Sequence, residues 1–367
     1  MAAAYQLKVG INGLGVLGRR LLRMLLDEKL NTFSDNKYEF QVVGINDLSD
    51  PEQLVYLLKY DTVYGKWDKT IEYDSTHGVF IIGGQNIALL QVPPKKSTYW
   101  EDINWASVGV ETVFDCTGLY TSYEALHSHI NGGAKQVVGI AQTSFDNFTP
   151  MFVYGINQKS ATDADYVVGI PAAQSIVNSI VASILNENFG VDCCICMDIG
   201  SYTNLNNLQD SAISSQRLHP QNGRAGAWNL IYSGIDYGKV VGKIVPILNG
   251  KVVGQEVRSG TIRGAISCGS YTLQKAFDID TFVGAWGTLI PTSIQDADST
   301  RKPLISKSED ALVSSDVVGE ICAFFNGYKS IAGSNANQVS IKVIYDPITL
   351  QAANAMLMAA YMKELVG

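Results

Sequence analysis

The sequence predicts an α/β protein: a doubly wound parallel sheet in the first half, followed by an α+β domain with an antiparallel sheet. Three observations carry this expectation. Strand-like and helix-like patterns alternate up to about Ile140, as in a parallel sheet with helical crossovers. A glycine-rich turn, Gly13-Leu14-Gly15-Val16-Leu17-Gly18, sits directly between the first strand and the first helix. After about Val168 the pattern changes to one long helix followed by alternating strands.

Taken in order, Leu7–Asn12 is an apolar strand, and Leu17–Leu30 sets Leu21, Leu22, Leu25 and Leu26 at helical spacing. Phe40–Asn46 is the second strand, and Pro51–Lys59 is a helix opened by Asp50 as N-cap. Val110–Cys116 and Gln136–Ile140 are buried strands separated by a helix near Ser122–Ile130. Tyr166 to Asn186 lacks charge for about the length of a membrane span. Pro171, Gln174, Ser175, Asn178 and Ser179 within it favour a strand and a buried helix, Ala173–Asn188, so no transmembrane segment is expected. Val191–Ile199 is an apolar strand. It leads into Tyr202–Gly223, a loop rich in Asn, Gln and Ser; loops this long are usually functional or packed against a partner. Lys251–Arg263, Ala265–Leu273 and Val339–Tyr345 read as strands, and Thr349–Leu365 as an Ala- and Met-rich helix with almost no charge. No internal repeat, low-complexity tract or flexible linker appears.

A chain of 367 residues exceeds the size at which one core usually splits, roughly 250–300 residues, so two domains are expected. Charged residues make up 17% of it, against about 25% in an ordinary soluble protein, and interface cores are depleted in charge. An assembly is therefore expected. The net charge of −8 argues against non-specific binding to nucleic acid or to an anionic membrane. The opening MAAAYQLKVGIN shows no signal-peptide pattern, and the six scattered cysteines suit reduced thiols in a cytoplasmic location.

The glycine turn is a GxGxxG motif. Gly13 and Gly15 allow a tight turn and close approach of backbone N–H groups to a pyrophosphate, while Gly18 lets the helix pack on the strand with its positive end toward the phosphates. Val16 and Leu17 complete the loop. The second strand ends at Asn46-Asp47, where the Asp47 carboxylate is placed for a ribose hydroxyl. Asp47 lies 29 residues past Gly18, an excess that the polar insert Asn31–Tyr38 explains. By pattern alone, the alternative is a glycine turn that closes a βα unit without a ligand.

The strings LKVGINGLGVLGRR, INDLSDPEQLVYLLKYDTVYGKW, CTGLYTSYEALHSHINGGAKQVV, PMFVYGINQKS, GRAGAWNLI and GKIVPILNGKVVGQ, with Ser314-Ser315-Asp316, resemble the phosphorylating glyceraldehyde-3-phosphate dehydrogenase family, in that family's order. The resemblance implies a Rossmann-type NAD-binding domain over residues 1–168 with a returning terminal helix at 348–367, and a catalytic-type domain with a mixed sheet over 169–347. It also implies a homotetramer and NAD as cofactor, with Asn12, Gly13, Gly15, Val16, Leu17, Gly18, Asp47, Thr117 and Gly118 at the cofactor site.

Set against the same family, the reacting groups are replaced. The nucleophilic cysteine position falls on Ala172, or on Ala173 if the gap is moved, and no cysteine occurs between Cys116 and Cys193. The histidine before Ser-Tyr-Thr is Gly200, and no histidine falls between residues 130 and 218. Thr203 and Arg224 match phosphate-binding residues, a vestigial site, but the family's Thr-Gly at the attacking-phosphate site is Ile235-Asp236. Val16 replaces an arginine of the glycine loop, and Pro347 replaces the asparagine that holds the nicotinamide amide. NAD binding is therefore expected to be weakened at its nicotinamide end.

Other chemistry-bearing residues are read as structural. Cys194 and Cys196 share one face of a strand and Cys193 takes the other, with no further ligand at metal-binding spacing. His127 and His129 are expected on a solvated helix face, and His219, in the long loop before Arg224, is the one histidine that could approach the old phosphate site, where a structural role is still the expectation. The expectation is a dehydrogenase-fold pseudoenzyme without metal or nucleic acid, acting as a structural or regulatory subunit. The rivals are a glycolytic NAD-dependent dehydrogenase with a rearranged site and a module that senses bound NAD. The Tyr202–Gly223 loop, through Leu205, Leu208, Ile213 and Leu218, is expected at a subunit contact.

Overall fold

The computed structural model describes residues 5–27, 32–33, 38–94, 103–140, 146–213, 219–233, 236–288, 305–321, 323–326, 331–332 and 337–366. The chain divides into two compact units: Met1–Ala172 with Gln351–Gly367, and Ala173–Pro291 with Lys302–Leu350.

In the first unit, β1 (Tyr5–Asn12) leads to α1 (Val16–Leu25). The short β2 (Thr32–Phe33) precedes β3 (Tyr38–Asn46), α2 (Pro51–Lys59) and a small ladder of β4 (Tyr60–Asp61) with β5 (Gly65–Lys66). Next come β6 (Ile71–Asp74), β7 (Val79–Ile82), β8 (Gln85–Leu90), β9 (Thr112–Asp115), α3 (Tyr123–Asn131), β10 (Gln136–Ile140) and β11 (Val167–Ile170). The sheet order is β11-β10-β9-β1-β3-β8-β7-β6, with β2 beside β3. From β11 to β8 neighbouring strands run parallel, and β8, β7 and β6 form an antiparallel meander that the sequence analysis did not pick out. Its strands carry the half-buried alternation of a solvated sheet edge, unlike the continuous apolar runs of the central strands.

Local chemistry sets the helix starts. Asp50 Oδ1 accepts from Gln53 N–H at 3.0 Å and Ser122 Oγ from Ala125 N–H at 3.1 Å, so both helices open on the side chains that favour an N-cap.

The second unit begins with α4 (Ala173–Phe189), which packs on β12 (Val191–Ser201) and β15 (Ala265–Leu273). Between these strands lie β13 (Ile231–Ser233), α5 (Gly238–Ile244) and β14 (Val252–Ser259). After α6 (Ile279–Thr288) come β16 (Ile305–Ser308), β17 (Ala323–Asn326), β18 (Ile331–Ala332) and β19 (Gln338–Tyr345). The order is β13-β14-β12-β15-β19-β17-β16, with β18 beside β19. This sheet is mixed: β12–β14 and β16–β17 are parallel, and the other pairs are antiparallel.

The last helix, α7 (Pro347–Val366), opens on Asp346, whose Oδ1 accepts from Ile348 N–H at 3.0 Å. Pro347 has no N–H to lose and suits the first helical position. From Gln351 the helix belongs to the first unit and is almost wholly buried there. Its few polar side chains are satisfied: Asn354 accepts from Tyr154 N–H at 2.8 Å and donates to the Phe152 carbonyl at 3.1 Å, and Gln351 donates to the Pro171 carbonyl at 3.0 Å. Two nearly uncharged helices, α4 and α7, are thus covered within the chain itself. Their burial accounts for part of the charge deficit without a partner. No helix among the described residues is long and apolar enough to cross a membrane.

Candidate functional site

In the first unit, the three glycines of the turn have three separate reasons. Gly13 takes φ +91°, and a Cβ there would lie 2.9 Å from Thr117 Cγ2. At Gly18 a Cβ would lie 1.9 Å from the Gly13 carbonyl oxygen, so only glycine lets α1 pack this closely. Gly15 is exposed and faces open space, with nothing within 4 Å of a built Cβ. It is also the N-cap of α1, which has no side-chain cap and no acidic residue in its first turn. The positive helix end is therefore left for an external anion.

Asp47 stands opposite. Its Oδ2 accepts from Leu14 N–H at 2.6 Å and its Oδ1 from Ser49 N–H at 2.8 Å, which fixes the carboxylate while leaving lone pairs for a hydroxyl donor. Asn12, Gly13, Gly15, Asp47 and Thr117 line one cavity of about 260 Å³ with Asn46, Leu48, Val92, Pro94, Cys116, Leu119 and Tyr120. Val16, Leu17, Gly18 and Gly118 do not line it. Leu17 is buried in the core, so only its backbone could serve a ligand. Burial beside Asp115 pushes the Cys116 thiol well above its ordinary range, which suits an inert wall residue rather than a nucleophile.

The expectation for His129 is corrected. It is not solvated: it is buried, accepting from Trp105 Nε1–H at 3.0 Å and facing Asp115 Oδ2 at 3.2 Å. His127 is half-buried, with its ring against Tyr123 and Tyr166. Helical period held the missed signal, because Ala125, Leu126 and His129 fall on one face and all three are buried.

In the second unit, β12 alternates as its sequence suggests: Cys194, Cys196, Asp198 and Gly200 face inward, and Cys193 and Ile195 outward. Asp198 anchors a buried polar cluster. Tyr237 donates its hydroxyl to it, Tyr345 does so at 2.6 Å, and Asn178 Nδ2 at 3.0 Å; Ser267 Oγ lies 3.2 Å away. Burial pushes the Asp198 carboxyl up to about 6 against these donors.

A raised folded-state value means the native protein holds this proton more tightly than the unfolded chain. The stabilisation is therefore full below about pH 4 and is lost as pH rises through 6. The difference from the ordinary carboxyl value corresponds to about 3 kcal/mol. Asp198→Asn is expected to flatten the pH dependence of stability between pH 4 and 7 by that order, read from urea midpoints; parallel profiles for the two proteins would contradict it.

Around Gly200 the space is occupied. A Cβ built there would lie 3.3 Å from Arg258 Nη1 and 3.7 Å from Glu256 Oε1. Arg258 Nη2 pairs with Glu256 Oε1 at 3.0 Å, both side chains being largely buried, and Nη1 donates to the Ser201 carbonyl at 3.3 Å. Sequence reading missed this pair. Its signal lay in the strand period of β14, which sets Glu256 inward beside Asp198.

Residues 7–123 match the family model "Glyceraldehyde 3-phosphate dehydrogenase, NAD binding domain", and residues 177–347 match "Glyceraldehyde 3-phosphate dehydrogenase, C-terminal domain". The chain is 32% identical over 339 residues to glyceraldehyde-3-phosphate dehydrogenase 1 of Mucor circinelloides f. lusitanicus, covering 92% of this chain and 91% of the relative. The chain belongs to the glyceraldehyde-3-phosphate dehydrogenase family. Relatives of the same name from Salmonella typhimurium (30% over 340 residues, 93% of this chain and 94% of the relative) and Bacteroides fragilis (31% over 340 residues, 92% and 93%) agree with this placement.

Ala172, expected from the sequence at the family's cysteine position, directly precedes α4, where a helix N-terminus would lower the pKa of a thiol. Alanine offers no such group. Thr203 is engaged in its own turn: its Oγ lies 3.3 Å from Asn206 Oδ1 and accepts from Leu205 N–H at 3.3 Å. Arg224 pairs with Asp210 at 2.7 Å, both exposed. Asp236 Oδ1 accepts from Gly238 and Gly254 N–H groups, and His219 is exposed at the start of a short turn of helix. Ile235 and Leu218 lie outside the described residues. Among the described residues no group of three or more His, Cys, Asp or Glu is placed to hold a metal ion.

Proposed function

We propose that this chain is a catalytically inactive glyceraldehyde-3-phosphate dehydrogenase relative that keeps the adenosine end of the dinucleotide site and serves as a structural or regulatory subunit. One observation carries the reading: the chain has no cysteine between 116 and 193 and no histidine between 130 and 218, the stretches in which the resemblance puts the family's cysteine and histidine, at Ala172 and Gly200. Both the nucleophile and the base that activates it are then missing.

The residues of the first unit fit part of NAD. Gly15 and the uncapped end of α1 suit the pyrophosphate, and Asp47 suits a ribose hydroxyl. The cavity of about 260 Å³ has room for part of the dinucleotide. Pro347, as the first residue of α7, offers no amide to the nicotinamide. When bound, NAD would supply only a redox-competent ring, and this chain's residues would bind the ligand without moving a hydride or a proton. Titration with NAD, followed by an assay on glyceraldehyde 3-phosphate, separates the readings: turnover would return a rearranged dehydrogenase, and NAD-dependent assembly would point to a sensor.

The assembly half of the reading is self-association as a tetramer, or mixed association with another chain. Exposed apolar side chains support it: Leu208 is 64% and Trp228 89% exposed, and Leu205, Leu230 and Ile195 are exposed as well. A loop this rich in amides is costly to order alone and is fixed more readily by a neighbouring surface. Light scattering at micromolar concentration is expected to give a tetramer, and Leu208→Asp with Ile213→Asp to give smaller species. A monomeric wild type, or a variant that assembles unchanged, would remove this loop from the interface.

A further inference from the structure

We propose that Asp115 and His129 are positioning residues of the dinucleotide cavity, holding its wall in register with the buried indole of Trp105. The proposal rests on the reading that this cavity takes the adenosine part of a dinucleotide. Asn12, Thr117 and Tyr120 line the cavity, and all three are held from behind by this pair. Asp115, the last residue of β9, is buried. Its Oδ2 accepts from Asn12 Nδ2 at 2.7 Å, and its Oδ1 accepts from Thr117 N–H at 3.2 Å and Thr117 Oγ–H at 2.8 Å. His129 Nε2 lies 3.2 Å from the same Oδ2.

The protonation pattern follows from the partners. An indole N–H can only donate, so His129 Nδ1, at 3.0 Å from Trp105 Nε1, is the acceptor. The neutral ring therefore carries its proton on Nε2 and donates it to Asp115. The far end of this chain of bonds is locked by packing. A Cβ at Gly10 would lie 2.8 Å from the Trp105 ring and one at Gly132 3.3 Å from it, so glycine is what admits the indole there. Tyr120 stacks on the His129 ring at 4.8 Å between centroids. A rigid indole thus orients an imidazole, the imidazole orients a carboxylate, and the carboxylate sets two side chains that a ligand would touch. Removing the imidazole would leave the buried Asp115 short of a donor, and Asn12 and Thr117 would lose their fixed partner.

The test uses the full-length protein with ADP-ribose as probe. Affinity is measured by calorimetry, and indole N–H resonances are followed by NMR, with that of Trp105 assigned through Trp105→Phe. His129→Ala is expected to weaken ADP-ribose binding about tenfold, and His129→Gln, whose amide can accept from the indole and donate to Asp115, to recover most of the loss. Val137→Ala, a core truncation in β10, is expected to lower Tm without changing the affinity. Saturating ADP-ribose should shift the Trp105 resonance in the wild type. If His129→Ala fails to fold, Trp105→Phe carries the affinity test, with a smaller weakening expected. Wild-type affinity in the His129 and Trp105 variants, or a Trp105 resonance unmoved at saturation, would overturn the inference alone. A wild type that does not bind ADP-ribose would overturn the cavity reading, and the inference with it.

Discussion

Cysteine introduced at Ala172 is expected to give no detectable oxidation of glyceraldehyde 3-phosphate, and histidine added at Gly200 is expected not to repair the defect. Loss of an essential nucleophile typically costs on the order of 10⁴–10⁶ in turnover, and groups that act as a unit are not restored one at a time. A thiol directly before α4 would gain the helix end but no base to take its proton. The imidazole has its own obstacle, because the Cβ at position 200 would face the guanidinium of Arg258 at 3.3 Å. Seating a ring there requires the largely buried Arg258–Glu256 pair to move, and separating such a pair leaves an uncompensated charge. Steady-state assays of Ala172→Cys and of Ala172→Cys/Gly200→His read the outcome. Turnover by Ala172→Cys alone within about a hundredfold of an ordinary family enzyme would show that the second unit retains a working base, and such turnover by the double variant only would show that the Arg258–Glu256 pair makes room for the imidazole.

The second large effect concerns the ligand's two ends. ADP-ribose is expected to bind about as tightly as NAD if Pro347 stands, as proposed, where the family holds the carboxamide. Asp47→Ala is expected to weaken both ligands by roughly 1.5–3 kcal/mol, the range for a hydrogen bond to a charged group. Asp47 also holds Leu14 N–H in the glycine turn, so the variant loosens the turn as it removes the carboxylate. Calorimetry on the two ligands decides the matter. A large preference for NAD over ADP-ribose would mean that other residues form a nicotinamide pocket.

The fold was legible where one local signal decided the element. Asp50 before Pro51 fixed the start of α2, and the apolar run Gln136–Ile140 gave β10 residue for residue. The meander Ile71–Leu90 and the seven-residue α5 were not legible, because short, half-exposed segments have weak periodicity. That Gly13, Gly15 and Asp47 come together around one cavity was readable from spacing, since a tight glycine turn and the end of the next strand meet there. Asp115 was not, because its meaning depends on Asn12 and His129, which lie 103 and 14 residues away in sequence. His129 was misread for the related reason that a polar residue on a helix is assigned to water until its buried partners are known. The Glu256–Arg258 pair likewise gains its significance only from lying beside Gly200.

A single-turnover experiment asks whether this scaffold carries a competent nucleophile and base. Protein at a concentration equal to the aldehyde, with saturating NAD and phosphate, is mixed rapidly and followed for NADH. Such conditions expose one reduction event per chain even when later steps are slow. No burst is expected, and no more NADH than in protein-free controls. A burst approaching one NADH per chain, in protein freed of host dehydrogenase, would contradict it and return the chain to the working enzymes of its family.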